Sequence, residues 1–468
     1  MHGYVRSTFQ SMQVRNYRLY ATGQLISLVF GWVQITAQDW LVLQLAHGSP
    51  SALGLVTALQ FTPMLLFTLY AGTLADRFDK RYLLLIVNAS WLVLAALMGV
   101  LVVGGAARLW QVYLFAALWG MVSAMETPTR QSFISELVDR PLLPNALSLG
   151  SAFFNVARIV GPAVAGILIA VLGTGSAFVV NAASYVFPLV ALVRLRPAEL
   201  YRRASTEPVT AAQARVVDGL RYVRRRPDLL LPLVLMFVLG MLGFNFQLTL
   251  PVLAKNVFHT GAETFGLLVT ALAVGALGGA LAGTRRRTRP SVWTVLGAAV
   301  GFGVLSTLSG LMPTYPLTAL VLVGTGFAQI FLAQAANQRI QLGTDPEMRG
   351  RVMALYIVAF LGTNPVGAPL VGWFAEHVGV RASIWAGGVV SLTVAGTALV
   401  WRLRVGGERL RVRLLPVPKI AVDVVPVWQG EPHGAHPAAD LSARGLHPVT
   451  GGRRRSRRAG AELSRVDS

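Results

Sequence analysis

Gly72-Thr-Leu-Ala-Asp-Arg-Phe-Asp-Lys-Arg81 is a charged, glycine-led decapeptide set between two long apolar runs, roughly 51–71 and 82–104. A gap that short cannot hold a domain. It has to turn the chain between two neighbouring membrane helices on one side of a bilayer. Elsewhere too, charge gathers in short gaps between apolar stretches of about 18 residues or more. Each stretch is long enough to cross a hydrocarbon core of about 30 Å at about 1.5 Å per residue. Twelve are counted, at roughly 17–45, 51–75, 82–104, 109–133, 143–172, 174–194, 229–254, 263–284, 291–312, 314–338, 350–375 and 380–401. Backbone groups in lipid have no water to bond, so these spans read as helices. The alternation expected of closed strands is absent.

Composition points the same way. The 468 residues are 54% hydrophobic and only 13% charged, with a mean hydropathy of +0.58, values that fit a lipid-embedded chain. The net charge of +21 would suit a nucleic-acid partner, but its placement argues against one. With the N-terminus inside, all but four of the 41 Lys and Arg fall in cytoplasmic loops and ends; Arg108, Lys255 and Arg381 lie outside and Arg158 within a span. By the positive-inside rule both termini are then expected in the cytoplasm. The start, Met1 to Asn16, lacks signal-peptide features, so the first span is expected to stay in the protein.

The chain has no cysteine, which removes disulfides, thiolate metal sites and cysteine nucleophiles. Its seven histidines show no metal-ligand spacing, and no Walker loop offers a grip on ATP. No cofactor, metal or enzymatic activity is expected.

An internal repeat appears at an offset of 206 residues, with Gly161-Pro-Ala-Val-Ala-Gly166 opposite Gly367-Ala-Pro-Leu-Val-Gly372. At the same offset Gly72 falls on Gly278 and Asp39 on Asn245. Two six-helix repeats explain the shared register, and an even helix count makes them parallel. The expected fold is all-α and polytopic, twelve transmembrane helices in two pseudo-symmetric six-helix bundles. The organisation is a cytoplasmic N-terminus (1–16), a first bundle (17–194), a basic cytoplasmic linker (195–228), a second bundle (229–404) and a disordered basic tail (405–468). Within the linker, Val216, Leu220 and Val223 recur at helical intervals; a helix on the membrane surface and a solvated linker are both open. The tail includes Arg453-Arg-Arg-Ser-Arg-Arg458, which suits loose contact with anionic lipid or no role at all.

The decapeptide's pattern, Gly-x-x-x-Asp-Arg-x-x-x-Arg, resembles the loop between the second and third helices of major facilitator superfamily transporters. Glu126-Thr-Pro-Thr-Arg-Gln-Ser-Phe133, Leu143-Pro-Asn-Ala146, Asn155-Val-Ala-Arg-Ile-Val-Gly-Pro162 and Arg349-Gly-Arg-Val-Met353 are similar to the enterobactin-exporter-like branch. The resemblance covers about 1–404. It implies a major facilitator fold whose two halves rock about a central pathway. It also implies a latch in the decapeptide, in which Gly72 permits close helix approach. Asp76, beside Arg77, would face the positive end of a helix in the other half, and Arg81 would pair with an acid near the end of the fourth helix. Asp79 replaces the family's usual second glycine, and Ala282-Gly283 stands where the second half would repeat Asp76-Arg77.

Other candidates come from the residues themselves. Glu126 and Arg130 stand four apart on one helix face, able to pair with each other or with Asp76 and Arg81. Arg158 lies at the centre of the fifth span, where a cation costs about 2.5–3.5 kcal/mol and must face the bundle interior; it could hold an anionic substrate or neutralise Glu126. Gly161, Pro162 and Gly166 let helices approach and bend. They resemble the antiporter motif of the fifth helix, with Ala157 and Ala165 where that motif has glycine. Asp39 is the candidate proton carrier, since burial disfavours its charge, although it sits towards the outer end of its span. Gln34, Gln38 and Gln44 suggest a polar cavity face around it, with Asn245 as the uncharged counterpart in the second half. The expected activity is proton-driven efflux of small amphipathic molecules such as drugs or secondary metabolites. The setting would be a bacterial plasma membrane, with lipid and protons as partners, by a monomer. A dedicated siderophore exporter and a non-transporting sensor or scaffold are the alternatives.

Overall fold

The computed structural model describes residues 9–201, 216–284, 288–406, 408–414 and 420–426; at 69, 72, 73, 75, 76, 216, 217 and from 402 onward it describes the backbone alone. The chain divides into two compact units, Met1–Trp401 and Arg402–Ser468.

The first unit is helical throughout. Its first half comprises α1 (Arg15–Leu45), α2 (Pro50–Arg77), α3 (Lys80–Val103), α4 (Leu109–Leu137), α5 (Leu143–Leu172) and α6 (Thr174–Arg194). Its second half comprises α7 (Pro227–Val257), α8 (Ala262–Thr284), α9 (Val292–Leu311), α10 (Tyr315–Gly343), α11 (Arg349–His377) and α12 (Val380–Trp401). Among the described residues, 11 of these segments are long and apolar enough to cross a membrane. The other is α4, whose 29 residues also suffice in length, but whose second half carries Glu126, Thr127, Thr129 and Arg130. The twelve predicted spans correspond one to one with these helices.

Turn chemistry sets the boundaries. Ser49 accepts a hydrogen bond from the Ala52 N–H and Pro50 opens α2, while Asp79 accepts from the Arg81 N–H at 2.9 Å and starts α3. Asp79 therefore has work as a cap where the resembling loop carries glycine. At the other end of the bundle, His47 and Gly48 take positive φ in the turn after α1. α7 is not regular: π-helical segments at Leu239–Gly243 and Leu253–Val257 interrupt it.

Apolar side chains such as Val100, Val171 and Leu320 remain about 70% exposed on the outer faces, a surface suited to lipid and costly in water. Inside, small residues bring backbones together. A Cβ at Gly275, Gly279 or Gly326 would strike backbone carbonyls across the α8–α10 contact. α2 packs along α4 in the first half as α8 packs along α10 in the second, and between the halves α2 meets α11 and α5 meets α8. These pairings interchange under the 206-residue offset, as two parallel repeats require.

The linker helix, Val216–Arg224, packs against the second half. Val223 is buried, a Cβ added at Gly219 would lie 3.3 Å from Arg351 and Leu355 of α11, and the Tyr222 hydroxyl donates to Asp345 at 2.8 Å. Residues 202–215 lie outside the described residues. In the second unit, Glu408–Leu414 (β1) and Ile420–Pro426 (β2) form an antiparallel hairpin, Val412 opposite Val422. That corrects the expectation of disorder for this stretch: Arg409, Arg411 and Arg413 alternate with Leu410, Val412 and Leu414, a period of two. The arginine hexamer lies outside the described residues.

Candidate functional site

Between the halves lies a cavity of about 120 Å³. α1 contributes Trp32, Ile35, Thr36 and Asp39, spaced i, i+3, i+4, i+7 on one face. α5 contributes Arg158, α7 Phe244, Phe246 and Gln247, α8 Phe265, and α10 Gln329. Asp39 is 4% exposed. The Gln247 amide bonds to its carboxyl, and its Oδ2, like Gln329 Oε1, is without a hydrogen-bond partner. Burial of an acid this thoroughly departs from the hydrated, interfacial setting its place in α1 suggested. The closed end of the bundle roofs over that part of the helix.

Arg158 is half-buried at the middle of α5. It does not neutralise Glu126, because Glu126 is bound to Arg130 at 2.5 Å. Among the described residues no carboxylate lies within 4.0 Å of the Arg158 guanidinium.

Three expectations about this cavity need correction. Gln34 accepts from Asn181 and Gln44 accepts from Thr174 at 3.0 Å, both on α6 inside the first half. Gln38 is 1% exposed and sits one turn from Gln34 on that same inward face, away from the cavity lining. Asn245 is no counterpart of Asp39 either. Its amide donates to the Met241 carbonyl at 2.9 Å, and it lines a small void with Thr249 and Ser306 within the second half. The π-helical segment just before it advances the register of α7, so Gln247 faces Asp39 instead.

At one end the halves are sealed. Trp40 stacks on Phe265 with ring centroids 6.2 Å apart, and the Lys255 ammonium lies 5.9 Å over Trp40 while donating to the Leu43 carbonyl at 2.6 Å. Gly161 abuts Trp32 of α1, the Pro162 carbonyl meets Gly266 of α8, and Gly166 takes the α8 backbone at Ala262 and Glu263. Pro162 and Gly166 thus lie on the α5–α8 contact between the halves, while Gly161 packs within the first half. Glu376 of α11 adds a feature the sequence reading missed: its carboxylate accepts from the Ser51 N–H and the Ser49 hydroxyl, each at 3.1 Å. A carboxylate from one half so caps the N-terminus of α2 in the other. Its only sequence signal is an acid at the end of one span and a Ser-Pro start to another.

The decapeptide lies at the opposite end. Gly72, Asp76 and Arg77 belong to the last turns of α2. Arg77 is exposed, and the Asp76 side chain lies outside the described residues. Among the described residues no acid pairs with Arg81. Its guanidinium donates to the Leu192 and Val193 carbonyls at 2.7 and 2.9 Å, satisfying the end of α6. The acid near the end of α4 is Glu136, and its partner is Lys80 at 2.6 Å. In the second half, Asp228 gathers Arg226 at 3.2 Å and Arg289 at 2.7 Å, a charge cluster absent from the repeat comparison.

Two six-helix halves enclosing a charged, aromatic-lined cavity, sealed at one end, define a multi-pass membrane transporter of the major facilitator type. The chain matches the transmembrane secretion effector family over residues 6–426 and belongs to that family. It is 30% identical to a staphyloferrin A transporter of Staphylococcus aureus over 252 residues, 53% of this chain and 61% of that one. It is 28% identical to the multidrug efflux pump Tap of Mycolicibacterium fortuitum over 369 residues, 76% of this chain and 88% of the pump. Among solved structures it is similar to a bacterial homologue of the lysosomal transporter Spinster (TM-score 0.64, 16% identity, 83% of this chain and 96% of that one). The nucleoside transporter NupG is similar too (TM-score 0.65, 12% identity, 83% and 98%).

Proposed function

We propose that this transporter exports small amphipathic organic molecules across a bacterial plasma membrane in exchange for protons. The halves rock to expose the cavity to either side in turn, with both termini in the cytoplasm. The observation that carries this reading is Asp39, a buried carboxylate with an unpartnered oxygen, facing the cavity beneath the sealed end. An acid there takes and gives up a proton as the pathway opens to one side and then the other. The relative named as a multidrug efflux pump supports efflux, and the one named as a staphyloferrin A transporter leaves the substrate open between drugs and metabolites. The unpaired Arg158 favours a dedicated metabolite exporter with an anionic cargo as the second reading.

In this scheme Gly161, Pro162 and Gly166 form the hinge and seal on α5, and the turn carrying Asp76 and Arg77 latches the alternative state. Asp39→Asn in proteoliposomes tests the coupling. Efflux driven by a pH gradient is expected to vanish while substrate binding persists. Undiminished efflux would remove Asp39 from the mechanism.

A further inference from the structure

Arg158 is a charged residue of the cavity to which proton exchange assigns no task. We propose that it is a carboxylate-binding site, and that the cavity selects amphipathic monocarboxylates. The carboxylate would sit on the guanidinium, and the apolar body against Trp32, Phe244, Phe246 and Phe265. The inference deepens the export reading and rests on the cavity being the transport path.

Three observations, with the chemistry of the guanidinium, carry it. Arg158 sits at the middle of α5 with no carboxylate within ion-pair distance among the described residues, and Glu126 is occupied by Arg130. A guanidinium presents its N–H donors as a planar fork that matches a carboxylate with two parallel hydrogen bonds. When both ends of a cavity close, a lone guanidinium loses its water, and a bound anion removes that cost. Asp39 shares the same 120 Å³ space; when it holds its proton, a monocarboxylate on Arg158 leaves the site neutral, whereas a dianion such as a phosphate monoester leaves a net negative charge. The four aromatic rings provide the apolar wall of a small-molecule site.

The test is equilibrium binding to the full chain in lipid nanodiscs, using radiolabelled 1-naphthylacetate and its uncharged amide. The wild type is expected to bind the acid at least about tenfold more tightly than the amide, the worth of hydrogen bonds to a charged group. Arg158→Gln should erase that preference and leave amide binding within about twofold, which also shows that the variant is folded. Arg158→Lys should keep part of the preference, having the charge without the fork. Equal binding of acid and amide by the wild type, binding of neither, or equal loss of both in Arg158→Gln would overturn the proposal. So would tighter binding of 1-naphthyl phosphate than of the acid. Proton flux is read separately. If Asp39→Asn leaves efflux intact, the antiport reading falls and the binding preference stands; if acid and amide bind alike, the preference falls and antiport stands.

Discussion

Adding one methyl group at Gly166 should tip the balance between the two orientations of the halves. A Cβ there would lie 2.9 Å from the Ala262 carbonyl oxygen and 2.9 Å from Glu263 Cα, where ordinary contact begins at 3.4 Å. α5 and α8 must therefore part by about 0.5 Å, an overpacking that typically costs about 1–3 kcal/mol. When the sealed end opens, α8 withdraws and the methyl meets nothing, so the penalty falls on one conformation alone. That corresponds to a shift of about 5–150-fold toward the conformation open at this end. The chain has no cysteine of its own, so spin labels on Ala106→Cys and Thr314→Cys, exposed turns of opposite halves at the sealed end, report that opening alone. In double electron–electron resonance on Gly166→Ala the long-distance population should become dominant. An unchanged distance distribution in monodisperse protein would refute the idea that this helix contact is the seal.

The same label pair should read the charge contacts. Glu376→Ala removes the carboxylate over the α2 N-terminus, worth about 0.3–1 kcal/mol at an exposed site, and should lengthen the distance a few-fold in population. Asp76→Ala should act in the opposite direction, favouring the conformation described here; identical shifts in the two variants would contradict a two-ended latch. Glu126→Gln leaves Arg130 without its partner in a largely buried setting and should lower stability by about 1–3 kcal/mol, seen as a drop in thermal unfolding temperature. Arg130→Met in the same chain should restore part of the loss, and no recovery would mean the pair is not coupled.

Span number, span limits and the two-fold repeat were all legible in the sequence, because hydropathy and length respond to the bilayer directly. Side-chain direction was not. In a membrane bundle the lipid face and the core face are both apolar, so the 3.6-residue period that orients a helix in water carries little information. α1 shows the consequence: Gln34 and Gln38 mark the face packed within the first half, and the cavity face is the mixed row Trp32, Ile35, Thr36 and Asp39. Arg158 was readable for a different reason. A cation at mid-span has few places to go, so its cavity position followed from cost alone. At Asn245 a constant sequence offset meets an irregular helix, with a π-helical segment at Leu239–Gly243 just before it. The acid expected to pair with Arg81 is taken by Lys80, because adjacent residues at a helix start point in different directions, one to Glu136 and the other to the end of α6.

Glu376 gives α2 the character of a see-saw. One tip is held by a foreign carboxylate while the far tip carries an acid of its own, in Asp76. In the proposed alternative state Asp76 would take up the equivalent contact at the far tip, so that tilting the beam exchanges one charge-to-dipole contact for another.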